Sequence, residues 1–225
     1  MGETVRLSSA DGLDLSAYRA APADARRGGL VLIHEIFGVT DHIRDLADRF
    51  AEDGYETLAP SLFDRERPGF SAGYDGAGVN EGRRVSEAAP WDEVAGDLTV
   101  AIGALAGPVF AVGYCWGGSA AWLAACRCPG LAAASAYYGR RIPELVEETP
   151  MCPVILHFGR KDASIPLPVV DAIAERHPDI PVHLYQAGHG FASDRGADFD
   201  AEAAGLARLR TLQLFARNGA GRGET

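Results

Sequence analysis

No apolar run in the 225-residue chain approaches the roughly 20 residues that a bilayer-spanning helix needs. Met1-Gly2-Glu3-Thr4 opens no secretory leader, so a cytoplasmic protein away from membranes is expected. Positive charge is in short supply. Lys and Arg number 21 against 31 Asp and Glu, for a net charge of −10. That balance weighs against nucleic acid or an anionic membrane as partner, and it makes any local cluster of arginines informative. Cysteine is scarce as well, with four residues: Cys115, Cys126, Cys128 and Cys152. In a chain of this size without a leader they are expected to be reduced thiols. Cys126-x-Cys128 has no second pair at metal-ligand spacing and reads as the end of a helix, so neither a metal nor a cofactor is expected. Cys115 has no Cys-x-x-Cys partner, which weighs against a thiol redox protein. Internal repeats and a second-domain boundary are missing too, and residues 1–225 read as one α/β domain.

What is present is organised around Val109-Phe110-Ala111-Val112-Gly113-Tyr114-Cys115-Trp116-Gly117-Gly118-Ser119. A buried apolar strand breaks at Gly-x-Cys-x-Gly-Gly, and an Ala-rich helix follows. Strand, sharp turn and helix are the context of a nucleophile elbow. The glycines fit close backbone approach, and Cys115 at the apex takes a position where serine is commoner. A thiol at a helix N-terminus is a better nucleophile, because the positive end of the dipole favours thiolate.

Around this centre the chain alternates strands and helices. Thr4–Ser8 and Leu13–Arg19 read as a hairpin about Asp11-Gly12. Leu30–Ile33, Tyr55–Ala59, Ala132–Tyr138, Val154–Phe158 and Val182–Gln186 read as buried strands. Helices are expected after Thr40 or Asp41 up to Gly54, from Asp92 to about Leu105, over Pro166–His177, and over Phe199–Arg217. The pattern implies a mostly parallel, doubly wound sheet covered on both faces. Ser61 to Trp91 reads as irregular, Gly- and Arg-rich, and too long for an idle connector; a lid over a site is one expectation for it.

Functional groups of such a sheet gather beyond the carboxyl ends of its strands. Cys115, Asp162 and His189 each follow a strand, and their order (nucleophile, acid, histidine) is that of the α/β-hydrolase fold. In this scheme His189 moves the proton, and Asp162 fixes its tautomer and stabilises the imidazolium. The backbone N–H groups of Trp116 and of Ile36, in the loop after Leu30–Ile33, are the expected oxyanion donors. Glu35 adjoins that hole and would repel the developing charge. It therefore needs another partner, or a surface position, or an arginine from the Ser61–Trp91 segment.

Together, His34-Glu35-Ile36-Phe37-Gly38, Gly113-Tyr114-Cys115-Trp116-Gly117-Gly118, Tyr137-Tyr138-Gly139 and Ala187-Gly188-His189-Gly190-Phe191 resemble the dienelactone hydrolase family. The resemblance implies a compact α/β hydrolase without a large cap domain, opening enol-lactone rings through a Cys-His-Asp triad. It also implies that Glu35 contacts the resting thiol, with anionic substrate triggering activation. Arg84, Trp91, Tyr137 and Phe191 are the substrate contacts it suggests, and Arg84 matches one of two carboxylate-binding arginines. The second is replaced by Ser193, with Arg195 two positions on, and the serine after the catalytic histidine is replaced by Gly190. A small, anionic lactone or ester is thus the expected substrate, for a monomer or small homo-oligomer. A general carboxylesterase or thioesterase, or a non-catalytic binding member whose Glu35 keeps the thiol neutral, are the other readings.

Overall fold

The computed structural model describes residues 2–9 and 11–221. Eight strands form one sheet: β1 (Glu3–Ser8), β2 (Asp14–Ala20), β3 (Gly28–Ile33), β4 (Tyr55–Pro60), β5 (Val109–Tyr114), β6 (Leu131–Tyr137), β7 (Val154–Gly159) and β8 (Val182–Tyr185). Their order in space is β1-β2-β4-β3-β5-β6-β7-β8. The hairpin β1–β2 joins antiparallel at one edge, and every pairing from β4 to β8 is parallel. The other edge is β8, four residues long, half-buried along most of its length and paired only with β7.

Among the described residues six α-helices cover this sheet: α1 (Asp41–Glu52), α2 (Gly76–Ala88), α3 (Trp91–Gly103), α4 (Trp116–Arg127), α5 (Leu167–Arg176) and α6 (Ala201–Arg217). No helix among the described residues is long and apolar enough to cross a membrane. All six residues of β3, β5 and β7 are buried, which requires cover on both faces. Phe215 of α6 stacks on Phe110 at 4.3 Å and meets Tyr55 edge-on, so α6 closes over the centre of the sheet. Arg208 of α6 pairs with Asp53 at the end of α1, and Arg127 of α4 pairs with Asp92 of α3. In α1 the apolar stripe Ile43, Leu46, Ala47, Phe50 and Ala51 is buried as its periodicity demands, and Gly54 turns the chain out with φ 94°. Helix α4 ends at Arg127 with Cys128 as its cap.

The segment Ser61–Trp91 differs from the sequence expectation, because half of it is regular. Its first part is a loop tied down by two buried carboxylates. Asp64 accepts from the Ser16 and Gly69 N–H groups, and fully buried Asp97 receives two donors from Arg65, at 2.7 Å each. The rest is α2, whose glycines hide its helical pattern. Asp75 caps it, with Oδ1 accepting from the Gly78 N–H at 2.8 Å. Glycine is required at Gly82 for contact: a Cβ there would lie 2.4 Å from the Ile36 carbonyl oxygen. The helix thereby rests on the loop that follows β3.

Candidate active site

The elbow sits at the carboxyl end of β5, in the middle of the sheet. Cys115 has φ 55° and ψ −115°, a backbone conformation costing a non-glycine residue about 1–3 kcal/mol. The turn is held in place by the Cys115 N–H donating to the Tyr137 carbonyl at 3.0 Å and the Gly118 N–H donating to the Cys115 carbonyl at 3.0 Å. Its glycines are steric necessities. A Cβ on Gly113 would fall 1.8 Å from the Gly117 carbonyl oxygen, and one on Gly118 would fall 2.2 Å from that of Tyr137. The thiol is thus lifted above the sheet at the start of α4.

Three strand ends converge there. His189, after β8, brings Nε2 to 3.2 Å from the Cys115 Sγ and Nδ1 to 2.6 Å from Oδ2 of Asp162, after β7. Ser164 completes the arrangement and was not singled out in the sequence. Its N–H and hydroxyl both donate to Asp162 Oδ1, at 2.8 and 2.6 Å, and its oxygen lies 3.1 Å from His189 Nδ1. The spacing Asp-x-Ser was the available signal, since an aspartate commonly accepts from the residue two positions on. Burial opposes a charged His189. The hydrogen bonds to Asp162 and Cys115 and the attraction of both acids outweigh it, and push the imidazole up to about 10. Burial likewise opposes ionised Asp162, and the contacts with His189 and Ser164 reverse this and hold its pKa low. Asp194, the other nearby acid, is engaged by His42 at 3.0 Å and by Arg49.

Ile36 and Trp116 line the same cavity as Cys115, and among the described residues the backbone N–H of neither donates to a protein acceptor. Glu35 is neither on the surface nor paired with an arginine. Its side chain is buried at the cavity that Cys115 also lines, with Oε2 lacking any hydrogen-bond partner among the described residues. It makes no hydrogen bond to Cys115, whose sulfur faces His189 instead. Burial raises the Glu35 carboxyl to about 7, against the opposing pull of the His189 charge and Tyr74. Folded Glu35 therefore holds its proton more tightly than the unfolded chain does. Its burial weakens the fold progressively as pH climbs from about 4.5 to about 7, and by a constant amount above. The Glu35→Gln protein is expected to match wild type near pH 4 and exceed it at pH 8, by on the order of 3 kcal/mol at most. Urea unfolding at the two pH values measures this, and equal midpoints at pH 8 would contradict it.

The cavity above the thiol encloses about 340 Å³, enough for a small organic acid. The substrate contacts expected from the sequence need correction, because none of the four borders it. Arg84 is exposed on α2, turned away by one residue. The cavity face of that helix carries Val79, Arg83, Ser86 and Glu87, at helical spacing, so Arg83 is the arginine that enters. Trp91 stacks on Trp116 at 5.8 Å, under the Arg141 guanidinium, and so backs the wall without lining it. Tyr137 is buried in β6, its hydroxyl 2.8 Å from that of Thr211. Phe191 is buried against Tyr138 and Tyr185, behind His189. Arg140, Arg141 and Arg195 join Arg83 at the cavity, gathering positive charge in an acidic protein. Arg141 is held by Glu144 and Arg195 by Asp45 and Asp194, while Arg83 and Arg140 pair with no carboxylate among the described residues. Ser193 also lines the cavity, and its buried hydroxyl has no partner among the described residues.

Residues 15–219 match the model of the dienelactone hydrolase family. A carboxymethylenebutenolidase of Pseudomonas putida is 31% identical over 227 residues, spanning 95% of this chain and 96% of its own. Among solved structures, a Klebsiella pneumoniae protein provisionally described as a dienelactone hydrolase superimposes with a TM-score of 0.82. It is 28% identical over 96% of this chain and 98% of its own. A dienelactone hydrolase-like promiscuous phosphotriesterase from metagenomic libraries, 20% identical over 96% of this chain and 98% of its own, shares the fold with a TM-score of 0.76. With the family model matching from β2 to beyond α6, and an uncapped α/β-hydrolase sheet beneath the site, the chain belongs to the dienelactone hydrolase family.

Proposed function

We propose that the chain hydrolyses small lactones or esters bearing a carboxylate, with Cys115 as nucleophile. The observation that carries this reading is the continuous Sγ–His189–Asp162 relay, at 3.2 and 2.6 Å, beneath two uncommitted backbone N–H groups. An imidazolium beside the sulfur is the partner a thiolate needs. The sulfur adds to the carbonyl carbon, and the displaced electron pair collects on the oxygen, which the Ile36 and Trp116 N–H groups receive. Collapse breaks the C–O bond, and the departing oxygen takes the proton from His189 Nε2. Acylation also removes the sulfur's share of what held that proton, while Asp162 still orients the ring. It can then deprotonate water, which attacks the thioester and releases the acid and the thiolate. A lactone leaving group stays tethered to the acyl chain, so ring opening yields one product.

Arg83 and Arg140, without carboxylate partners, are where a substrate carboxylate would bind. A charge-assisted contact of this kind is worth about 1.5–3 kcal/mol. Arg83→Ala is accordingly expected to lower kcat/KM by about ten- to a hundredfold on the p-nitrophenyl half-ester of succinate. Turnover of p-nitrophenyl acetate should be nearly unchanged, and Arg84→Ala should alter neither. Equal losses on both esters would assign Arg83 to structure instead. The reaction class itself is tested by assaying wild type and Cys115→Ala on a panel of lactones and p-nitrophenyl esters.

A further inference from the structure

His34 is fully buried and takes no part in the relay, yet it touches both halves of the oxyanion site. Its Nδ1 lies 2.6 Å from the Glu35 carbonyl oxygen, and the Leu62 N–H, shared with the Pro60 carbonyl, points at its Nε2 from 3.2 Å. A carbonyl can only accept, and an amide N–H can only donate. The ring is therefore the Nδ1–H tautomer, donating to Glu35 and accepting from Leu62. Burial keeps it neutral, lowering its pKa to about 4.

The carbonyl that His34 holds belongs to the peptide whose N–H is that of Ile36. In a trans peptide these two groups point in opposite directions. Tying the oxygen back toward the ring therefore aims the Ile36 N–H the other way, toward the cavity that Ile36 lines. The same ring stacks on the side chain of Trp116, at 5.6 Å and 17° between planes, and meets Phe63 edge-on at 4.7 Å. Behind it, the chain passes so close to the elbow that a Cβ on Gly117 would lie 2.4 Å from the His34 carbonyl oxygen. One side chain is thus hydrogen-bonded to the peptide of one donor and stacked on the residue that supplies the other.

We infer that His34 is a positioning residue for the oxyanion hole, orienting the Ile36 N–H through the Glu35 carbonyl and bracing Trp116. The inference rests on the proposed acyl transfer at Cys115, and it has consequences of its own. Removing an oxyanion donor typically costs about 10²–10³ in kcat. His34→Leu and His34→Met should lose about a hundredfold in kcat on p-nitrophenyl acetate, with KM little changed. His34→Gln, whose amide can donate to one carbonyl and accept from one N–H, should recover most of that loss.

Alkylation of Cys115 by iodoacetamide separates positioning from general damage. In that step the sulfur forms a bond to carbon as iodide leaves, and no oxyanion develops. The apolar variants should therefore alkylate at the wild-type rate while turning over esters slowly. Wild-type turnover in His34→Leu, parallel loss of alkylation, or a glutamine variant as slow as the leucine one would each overturn the inference. Should the apolar variants fail to fold, ¹⁵N spectra of the wild-type ring decide. A neutral Nδ1–H tautomer at pH 6 supports the assignment, and an Nε2–H or imidazolium signal overturns it. Failure of the underlying reading looks different, since wild type itself would then release no p-nitrophenol beyond the Cys115→Ala background.

Discussion

Cys115→Ala is expected to remove hydrolysis almost completely, with kcat falling on the order of 10⁵- to 10⁶-fold, as when a triad nucleophile is deleted elsewhere. The size of the effect follows from what remains. Alanine leaves His189, Asp162 and both backbone donors in place, but no atom at the apex of the elbow can form the acyl bond. The remaining donors and His189 can only assist direct attack by water on the uncleaved ester, a less electrophilic carbonyl than the thioester that His189 normally serves. The fold should tolerate the change, because the strained backbone is held by main-chain hydrogen bonds at Tyr137 and Gly118 that do not involve the sulfur. Intact mass spectrometry after quenching with a slow ester should show a covalent adduct on wild type and none on the variant. Near wild-type turnover without Cys115 would refute the nucleophile assignment.

Asp162→Asn should cost nearly as much, on the order of 10⁴ in kcat, for a different reason. The Ser164 N–H and hydroxyl that now donate to Oδ1 can donate equally to an amide oxygen. The asparagine will then turn its NH₂ toward His189 Nδ1, which can only accept from it. The ring is forced into the tautomer that carries its proton on Nε2, facing the sulfur, and cannot remove the thiol proton. Loss of the carboxylate also removes one of the interactions that hold the imidazole near 10, so its pKa should fall. The variant should fold normally and show this drop by NMR titration. A loss of less than about tenfold would mean that some other group orients His189.

The sheet and the elbow were legible because apolar strands and glycine punctuation are local signals. β3 and β5 are uninterrupted apolar runs and β7 is one broken only by His157, each ending where the chain turns, and the order Cys115, Asp162, His189 survives any error of a residue or two at strand ends. The pocket wall was less legible. In α2 the glycines at 76, 78 and 82 argue against a helix by propensity, but tertiary contact with the Ile36 carbonyl and the Asp75 cap override it. With no helix in view there is no face to assign, and the family resemblance singles out Arg84 where the helical turn presents Arg83 to the cavity. Tyr137 and Phe191 adjoin functional residues in sequence, but strand and loop geometry bury both side chains beneath the site. Glu35 and His34 carry the same lesson. Their burial depends on Leu62, Phe63, Tyr74 and Trp116, none of which lies near them in the chain.

The three members of the triad are not equally secured. Cys115 follows the central strand β5 and Asp162 follows β7, each flanked by neighbours on both sides. His189 follows β8, the four-residue edge strand whose only ladder is with β7, although Tyr185 at its end also meets Arg210 of α6. The native ensemble of any protein includes partial openings, and the cheapest are those that break few hydrogen bonds and expose little apolar surface. Release of the edge strand β8 breaks one ladder only, that with β7. It would withdraw the proton carrier while leaving the nucleophile, the backbone donors and most of the sheet intact. The step that needs His189 is therefore hung from the margin of the sheet, while the nucleophile it serves is hung from the centre.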